Sequence, residues 1–385
     1  FRQEFARGWP ISAIAYAGKA YLSPALCTIL DDEGLELDAV SAGEIAAARA
    51  AGYPMERIHL HGNFKPDAEL AYAIGNGVGR IVIDSLDELA RVEALAQERQ
   101  RRVSLWLRLC PDVATDTHAA IQTGHADSKF GLDVASGAAY EAARQAVASP
   151  WLDLIGLHAH AGSHLFDIAP IARVIAFLGD IAAVLRERFG AHIRELSPGG
   201  GLGVAYAPDQ TSPDVAAYAA TVTHALAEVV ARCRLEPPRL IVEPGRAIVA
   251  RAGVAVYTVG PRKTTPGGLT FLAVDGGMGD NPRPALYGAR YYAALPERIL
   301  APADERVRIV GRYCESGDVL VETVAIPHAQ IGDILAIPVS GAYHLPMASN
   351  YNLVPRPAVN FLREGTVHLV RRRETLDDLL RLDMQ

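Results

Sequence analysis

From about Ile11 to Gly245, short β-like runs alternate with segments whose apolar residues recur at helical spacing. This rhythm predicts repeated βα units around a parallel sheet. The runs cover residues 12–17, 37–40, 57–61, 80–84, 103–109, 154–158, 193–196 and 239–242. Eight such strands predict a closed (β/α)8 barrel, an α/β fold that takes about 250 residues. Between them, segments such as 86–98 place Leu86, Leu89, Val92 and Leu95 on one helical face, as an outer ring requires. Beyond Arg246 the rhythm changes to strand-like runs over 253–259, 270–274, 306–310, 319–325, 333–339 and 367–371. This predicts a mostly antiparallel, barrel-like β domain, with one helix over 284–295 and a closing helix over 376–382. A chain of 385 residues is too long for one ordinary core, and the expected domains are 1–248 and 249–385.

Composition narrows the function. A net charge of -7 lacks the basic footprint of a nucleic-acid binder. Cys27, Cys110, Cys233 and Cys314 lie far apart with no C-x-x-C pair, which argues against a zinc site or a disulfide framework and suits a reducing cytoplasm. The apolar run 174–185 is interrupted by Asp180 and too short to span a bilayer. A small-molecule partner fits better than nucleic acid or membrane. The first residues carry Arg2, Glu4 and Arg7 and lack the apolar stretch of a signal peptide, and the chain does not begin with Met, so a trimmed start is expected.

In a barrel the C-terminal strand ends converge on one mouth. There the sequence places Lys19, Asp38, Ser41, His61, Asn63, His158, His160, Glu243 and Arg246. After the seventh strand comes Ser197-Pro198-Gly199-Gly200-Gly201-Leu202-Gly203, a backbone bare enough for its N–H groups to approach a phosphate. A lysine at one side and a phosphate loop at the other suggest a phosphorylated aldehyde held as an imine, and pyridoxal phosphate satisfies both. Taken alone, Lys19 reads as a surface lysine, but Ala17-Gly18-Lys19-Ala20 ends an apolar strand and turns the amine to the mouth. Glu243, in Glu243-Pro244-Gly245-Arg246, suits a pyridinium nitrogen; its plainer reading is a salt bridge to Arg246. His160 could stack on the ring and Ser163 could bond the phosphate.

Together these motifs resemble the diaminopimelate decarboxylases, of the alanine racemase-like, fold type III pyridoxal-phosphate enzymes. The likeness runs through Tyr16-Ala17-Gly18-Lys19-Ala20, His61-Gly62-Asn63-Phe64-Lys65, Thr123-Gly124, Lys129-Phe130-Gly131 and His158-Ala159-His160-Ala161-Gly162-Ser163. It continues through Gly199-Gly200-Gly201, Glu243-Pro244-Gly245-Arg246, Arg283-Pro284-Ala285-Leu286-Tyr287, Cys314-Glu315-Ser316-Gly317-Asp318 and Gly341-Ala342-Tyr343. The resemblance implies that Lys19 carries the cofactor, that Gly199 to Gly201 and Glu243 to Arg246 hold it, and that Tyr343 touches cofactor and substrate. Arg246, Arg283, Tyr287 and Glu315 would contact substrate. Cys314 would be the proton donor, contributed with Glu315 across a homodimer interface. The implied reaction converts meso-2,6-diaminopimelate to L-lysine and carbon dioxide, in the cytoplasm, as the last step of lysine biosynthesis.

Two departures from the family pattern stand out. The extended segment usual before the first barrel helix is expected to have been trimmed ahead of Phe1, and Gly18 and Tyr21 stand where Val and Asn are commoner. The rival readings are a related decarboxylase acting on a D-amino acid, a carboxylated polyamine or a carrier-bound substrate, and a non-catalytic decarboxylase-like regulator. A silent regulator has no need for Lys19, Glu243 and Cys314 together.

Overall fold

Eight parallel strands close into one barrel in sequence order. They are β1 Ser12–Ala17, β2 Glu36–Ala39, β3 Ile58–Leu60, β4 Arg80–Ile83, β5 Val103–Arg108, β6 Leu152–His158, β7 Glu195–Ser197 and β8 Arg239–Val242. The barrel closes where β1 pairs with β8, Ser12 opposite Leu240 and Ile14 opposite Val242. This computed structural model describes residues 1–111 and 129–384, so Thr123 and Gly124 lie outside the described residues. No helix of the described residues is long and apolar enough to cross a membrane.

The chain forms two units, Phe1–Val204 with Ser212–Ala247, and Ala205–Thr211 with Ile248–Gln385. In the first, the outer helices begin where the sequence supplies caps. Ser23, Ser41 and Ser85 each accept from the amide three residues on, at 3.2 Å, opening the helices Pro24–Asp32, Ala42–Ala50 and Leu86–Glu98. Ser41, expected beside Asp38 at the mouth, therefore engages its hydroxyl in a helix cap.

Because successive side chains on a strand face opposite ways, every second residue of β1–β8 enters the lumen. Ala15, Val82, Trp106, Ile155 and Ile241 form an apolar waist. At the N-terminal strand ends lies a charged layer. Arg80 Nε and Nη2 meet the Glu195 carboxylate at 3.0 and 2.5 Å, Trp106 Nε1 donates to the same carboxylate at 2.7 Å, and Arg239 pairs with Glu36. His59 Nε2 stands 2.7 Å from Glu36. The second polar layer, at the C-terminal ends, is the mouth.

The second unit carries a five-stranded sheet in the order β12-β11-β10-β9-β13, from β9 Val254–Thr264, β10 Thr270–Val274, β11 Glu305–Val310, β12 Val319–Ile326 and β13 Ile334–Pro338. Its pairings are antiparallel except β10 with β11. A separate hairpin joins β14 Val359–Arg363 to β15 Thr366–Arg371. The helix expected over 284–295 is only Arg283–Tyr287, because Gly288, at φ 60°, ends it with a left-handed cap. The closing helix is Leu376–Leu380, opened by a reciprocal cap between Thr375 and Asp378.

Candidate active site

The same alternation that builds the charged layer brings Asp38, His61, Asp84, Arg108, His158, Ser197 and Glu243 to the mouth, each buried. Glu243 is their hub. His158 Nε2 lies 3.0 Å from one carboxylate oxygen, Ser197 Oγ donates to the other at 2.8 Å, and His61 Nε2 stands 3.5 Å away. The salt bridge to Arg246 is not formed; Arg246 Nη2 instead donates to Ser163 Oγ at 3.2 Å. Asp38 lies 3.7 Å from His61, and its Oδ1 is buried without a hydrogen-bond partner. Burial and the Glu243 carboxylate push Asp38 up to about 7, and burial raises Glu243 as well. Burial likewise holds His61, His158 and His160 well below the usual histidine range, so the imidazoles are neutral at pH 7. A mouth with two reluctant carboxylates and neutral imidazoles is suited to receive a cation.

Lys19 sits in the single turn Gly18–Ala20 that follows β1, with its side chain exposed while Ala17, Gly18 and Ala20 are buried. The turn is fixed from the far side of the barrel seam, where Ala17 N donates to Pro244 O at 3.3 Å. A Cβ on Gly245 would come within 2.9 Å of Ala17, so only glycine lets the two ends meet. Lys19 and Glu243 thus belong to adjoining strand ends.

The glycine loop has a second reason for its composition. A Cβ on Gly200 would lie 1.9 Å from Glu243 O, and Gly199, at φ 73°, would put one 2.4 Å from His160 Nδ1. Gly201 would meet Gly162 O at 2.4 Å. The bare backbone lets the loops after β6, β7 and β8 close on one another, bringing Gly199 to Gly201, His160, Ser163 and Arg246 together at one side of the mouth.

The remaining sequence-selected residues lie in the second unit. Arg283 is buried at the start of its helix, with its guanidinium 4.7 Å from the Tyr206 ring centre and 5.6 Å from that of Tyr291, to whose hydroxyl it also donates. His344 Nε2 stands 2.9 Å from the same hydroxyl. Tyr287 closes the same helix. Cys314 and Glu315 are exposed on a turn held by buried Asp318, whose carboxylate accepts from Met278 N at 2.6 Å and Tyr313 N at 2.8 Å. Cys314 N donates to Asn352 Oδ1 at 2.9 Å. Tyr343 has φ 61°, a left-handed backbone that a bulky residue adopts only when its surroundings impose it.

Five residues escaped the sequence reading. Arg108 and Asp84 had a signal, a charged residue at the C-terminal end of an apolar strand. Tyr206, Tyr291 and His344 had none, since only the fold brings them to Arg283.

These residues fit pyridoxal phosphate. The mouth offers an exposed amine in Lys19, a buried carboxylate in Glu243 for a ring nitrogen, a flat imidazole in His160 and a close-packed glycine backbone next to Ser163. Fold and site together define a barrel enzyme of the pyridoxal-dependent class. The family model described as "Pyridoxal-dependent decarboxylase, pyridoxal binding domain" matches residues 1–250. Diaminopimelate decarboxylase of Bacillus subtilis is 41% identical over 384 residues, covering 100% of this chain and 88% of that protein. The enzyme of the same name from Actinosynnema pretiosum subsp. auranticum is 45% identical, covering 99% and 85%. The structure of diaminopimelate decarboxylase from Helicobacter pylori complexed with L-lysine superposes with a TM-score of 0.90 at 30% identity, over 99% of this chain and 93% of that one. The chain belongs to the diaminopimelate decarboxylase family.

Proposed function

We propose that this chain removes one carboxylate of meso-2,6-diaminopimelate as carbon dioxide and releases L-lysine. When bound, pyridoxal phosphate supplies the electron sink that accepts the pair left by the departing carboxylate. The protein does the rest. Lys19 would provide the amine that holds the cofactor aldehyde. Glu243, braced by His158 and Ser197, keeps the ring nitrogen protonated. His160 would stack on the ring, and Gly199, Gly200, Gly201 and Ser163 would hold the phosphate, with Pro244 and Gly245 helping to hold the cofactor. The thiol of Cys314 delivers a proton to the carbon that lost its carboxylate. Tyr343 would touch cofactor and substrate, and Arg246 would help hold the substrate.

The observation that carries the substrate assignment is Arg283. Its guanidinium, buried against Tyr206 and Tyr291, is a planar fork suited to a distal carboxylate, a group that diaminopimelate has and ornithine lacks. Tyr287 and Glu315 would hold the same end. The exposure of Cys314 and Glu315 on their turn supports a homodimer in which each chain completes the other's site. Exposed Leu362, Val367 and Leu369 on the β14–β15 hairpin and Leu376 and Leu380 beyond it supply apolar surface for such a contact.

Turnover with meso-diaminopimelate beside L-lysine, L-ornithine and their D-forms tests the reading. Carbon dioxide and L-lysine are expected from diaminopimelate, and preferred turnover of ornithine would defeat it.

A further inference from the structure

Lys65 is completely buried, an unusual place for a lysine outside an active site. Its ammonium has three donors and meets three partners: Gly62 O at 2.8 Å, Val82 O at 2.7 Å, and the Glu88 carboxylate at 3.0 and 2.9 Å. Gly62 directly follows His61, and Val82 is two residues before Asp84, so one side chain ties the end of β3 to the end of β4. Glu88 extends the tie, since its Oε2 also accepts from Asp84 N at 2.9 Å. The Asp84 carboxylate in turn receives Gly131 N at 3.1 Å and faces Arg108 Nε at 3.7 Å, and the Arg108 guanidinium lies 4.3 Å from the Phe130 ring centre. Arg91 donates to Lys65 O at 2.8 Å and to Asp67 at 2.7 Å, which fixes the loop from outside.

The cluster faces two ways. Its Gly62 bond governs where His61 stands, and His61 lies between Asp38 and Glu243 at 3.7 and 3.5 Å. Its Glu88 bond governs where Asp84 and Arg108 stand. We propose that Lys65, with Glu88, is a positioning residue for the barrel mouth, holding His61 on one strand end and the Asp84–Arg108 pair on the next in register with Glu243. A surface salt bridge could not do this. A fully satisfied buried ammonium can, because each of its three bonds has a fixed direction and no water competes for them. The inference rests on the decarboxylase reading above, and extends it to a residue that none of the roles above includes.

Lys65→Met keeps an unbranched side chain one atom shorter and removes all three donors. In the holoenzyme, kcat with meso-diaminopimelate is expected to fall about 10- to 100-fold, as small misplacements of an active-site wall do. KM should stay within about threefold, and the visible circular dichroism of the bound cofactor should change, since the ring senses the asymmetry of its walls. The single variant leaves Glu88 buried without a counter-charge and should lose on the order of 10 °C in Tm. Lys65→Met/Glu88→Leu removes the stranded charge. It is expected to recover Tm while remaining slow and keeping the altered dichroism. Wild-type kcat and dichroism in the double variant would overturn the proposal, as would failure of both variants to fold, which would make the pair a requirement of the barrel rather than of its mouth. A wild-type enzyme that binds the cofactor yet ignores diaminopimelate would defeat the substrate assignment alone, because the dichroism comparison needs no substrate.

Discussion

His158 Nε2 stands 3.0 Å from Glu243 Oε2, bringing the end of the sixth barrel strand against the end of the eighth. Since burial keeps His158 neutral, its one ring proton is donated to the carboxylate, and Nδ1 is left buried without a hydrogen-bond partner. The bond favours the charged form of Glu243 against the burial that raises its pKa, and orients the carboxylate for a ring nitrogen. Glu243→Gln is expected to lower kcat about 10²- to 10³-fold, and His158→Leu about tenfold. Carbon dioxide release at saturating substrate measures both, and equal losses would show that His158 does more than orient its neighbour.

Arg283 predicts a different kinetic signature. Arg283→Ala should reduce kcat/KM for meso-diaminopimelate roughly 10- to 100-fold, mostly through KM, as loss of a charge-assisted pair does. Tyr291→Phe, which removes the hydroxyl that accepts from Arg283, should cost only a few-fold. Unchanged kinetics for Arg283→Ala would reject its role at the distal carboxylate.

The turn that carries Cys314 should be separable from the thiol itself. Cys314→Ala is expected to lower kcat with little change in thermal stability, because removing one sulfur leaves the turn's backbone bonds in place. Asp318→Ala strips two amides of their acceptor and should lower stability by about 1–3 kcal/mol as well as kcat. Paired denaturation and turnover measurements distinguish the two.

A pH dependence follows from Asp38. Its carboxyl is pushed from 3.8 up to about 7 in the folded chain, so between these values the folded state binds more protons than the unfolded one. The contribution is fully present below about 4 and is lost as pH rises to about 7. Cofactor-free protein should therefore melt at a higher temperature at pH 5.5 than at pH 7.5, and Asp38→Asn should flatten that slope. An identical slope in the variant would assign it elsewhere.

The charged layer at the N-terminal strand ends supplies a stability test remote from the chemistry. Arg80→Met leaves Glu195 with Trp106 at 2.7 Å and Arg239 at 3.6 Å as its remaining partners. Breaking such a buried pair typically costs 3–5 kcal/mol, and these neighbours place the expected loss near the lower bound, about 3 kcal/mol. Urea denaturation would measure it, and cofactor binding should be unaffected.

Much of this arrangement was readable before folding was considered. β1, β8 and β10 lie where the sequence reading placed them, because their apolar runs end cleanly. Lys19 and Glu243 were identifiable because each follows such a run. The β14 strand was not, since Val359–Arg363 is mostly solvent-facing, and its partner is reached through Glu364 and Gly365, both at positive φ, rather than through an Asn-Gly turn. The charged layer was equally hidden. Glu36 lies just outside its predicted run, and Arg80 and Arg239 open theirs, but nothing in the sequence tells that barrel closure points all three into one lumen. Ser41 misled for the converse reason, as its position in sequence suits a mouth but its hydroxyl caps a helix.

The seven residues Ala205–Thr211, inserted between β7 and β8, are grouped with the second unit and bring it Tyr206. The chain therefore passes between the units three times, and no single cut divides them. A barrel excised at Ala247 would carry away the tyrosine on which Arg283 rests, and the remaining piece would lose part of its aromatic support. The two halves are thus poor candidates for exchange with other proteins by simple recombination. Any heritable rearrangement of this molecule has to move the strap along with the sheet it serves.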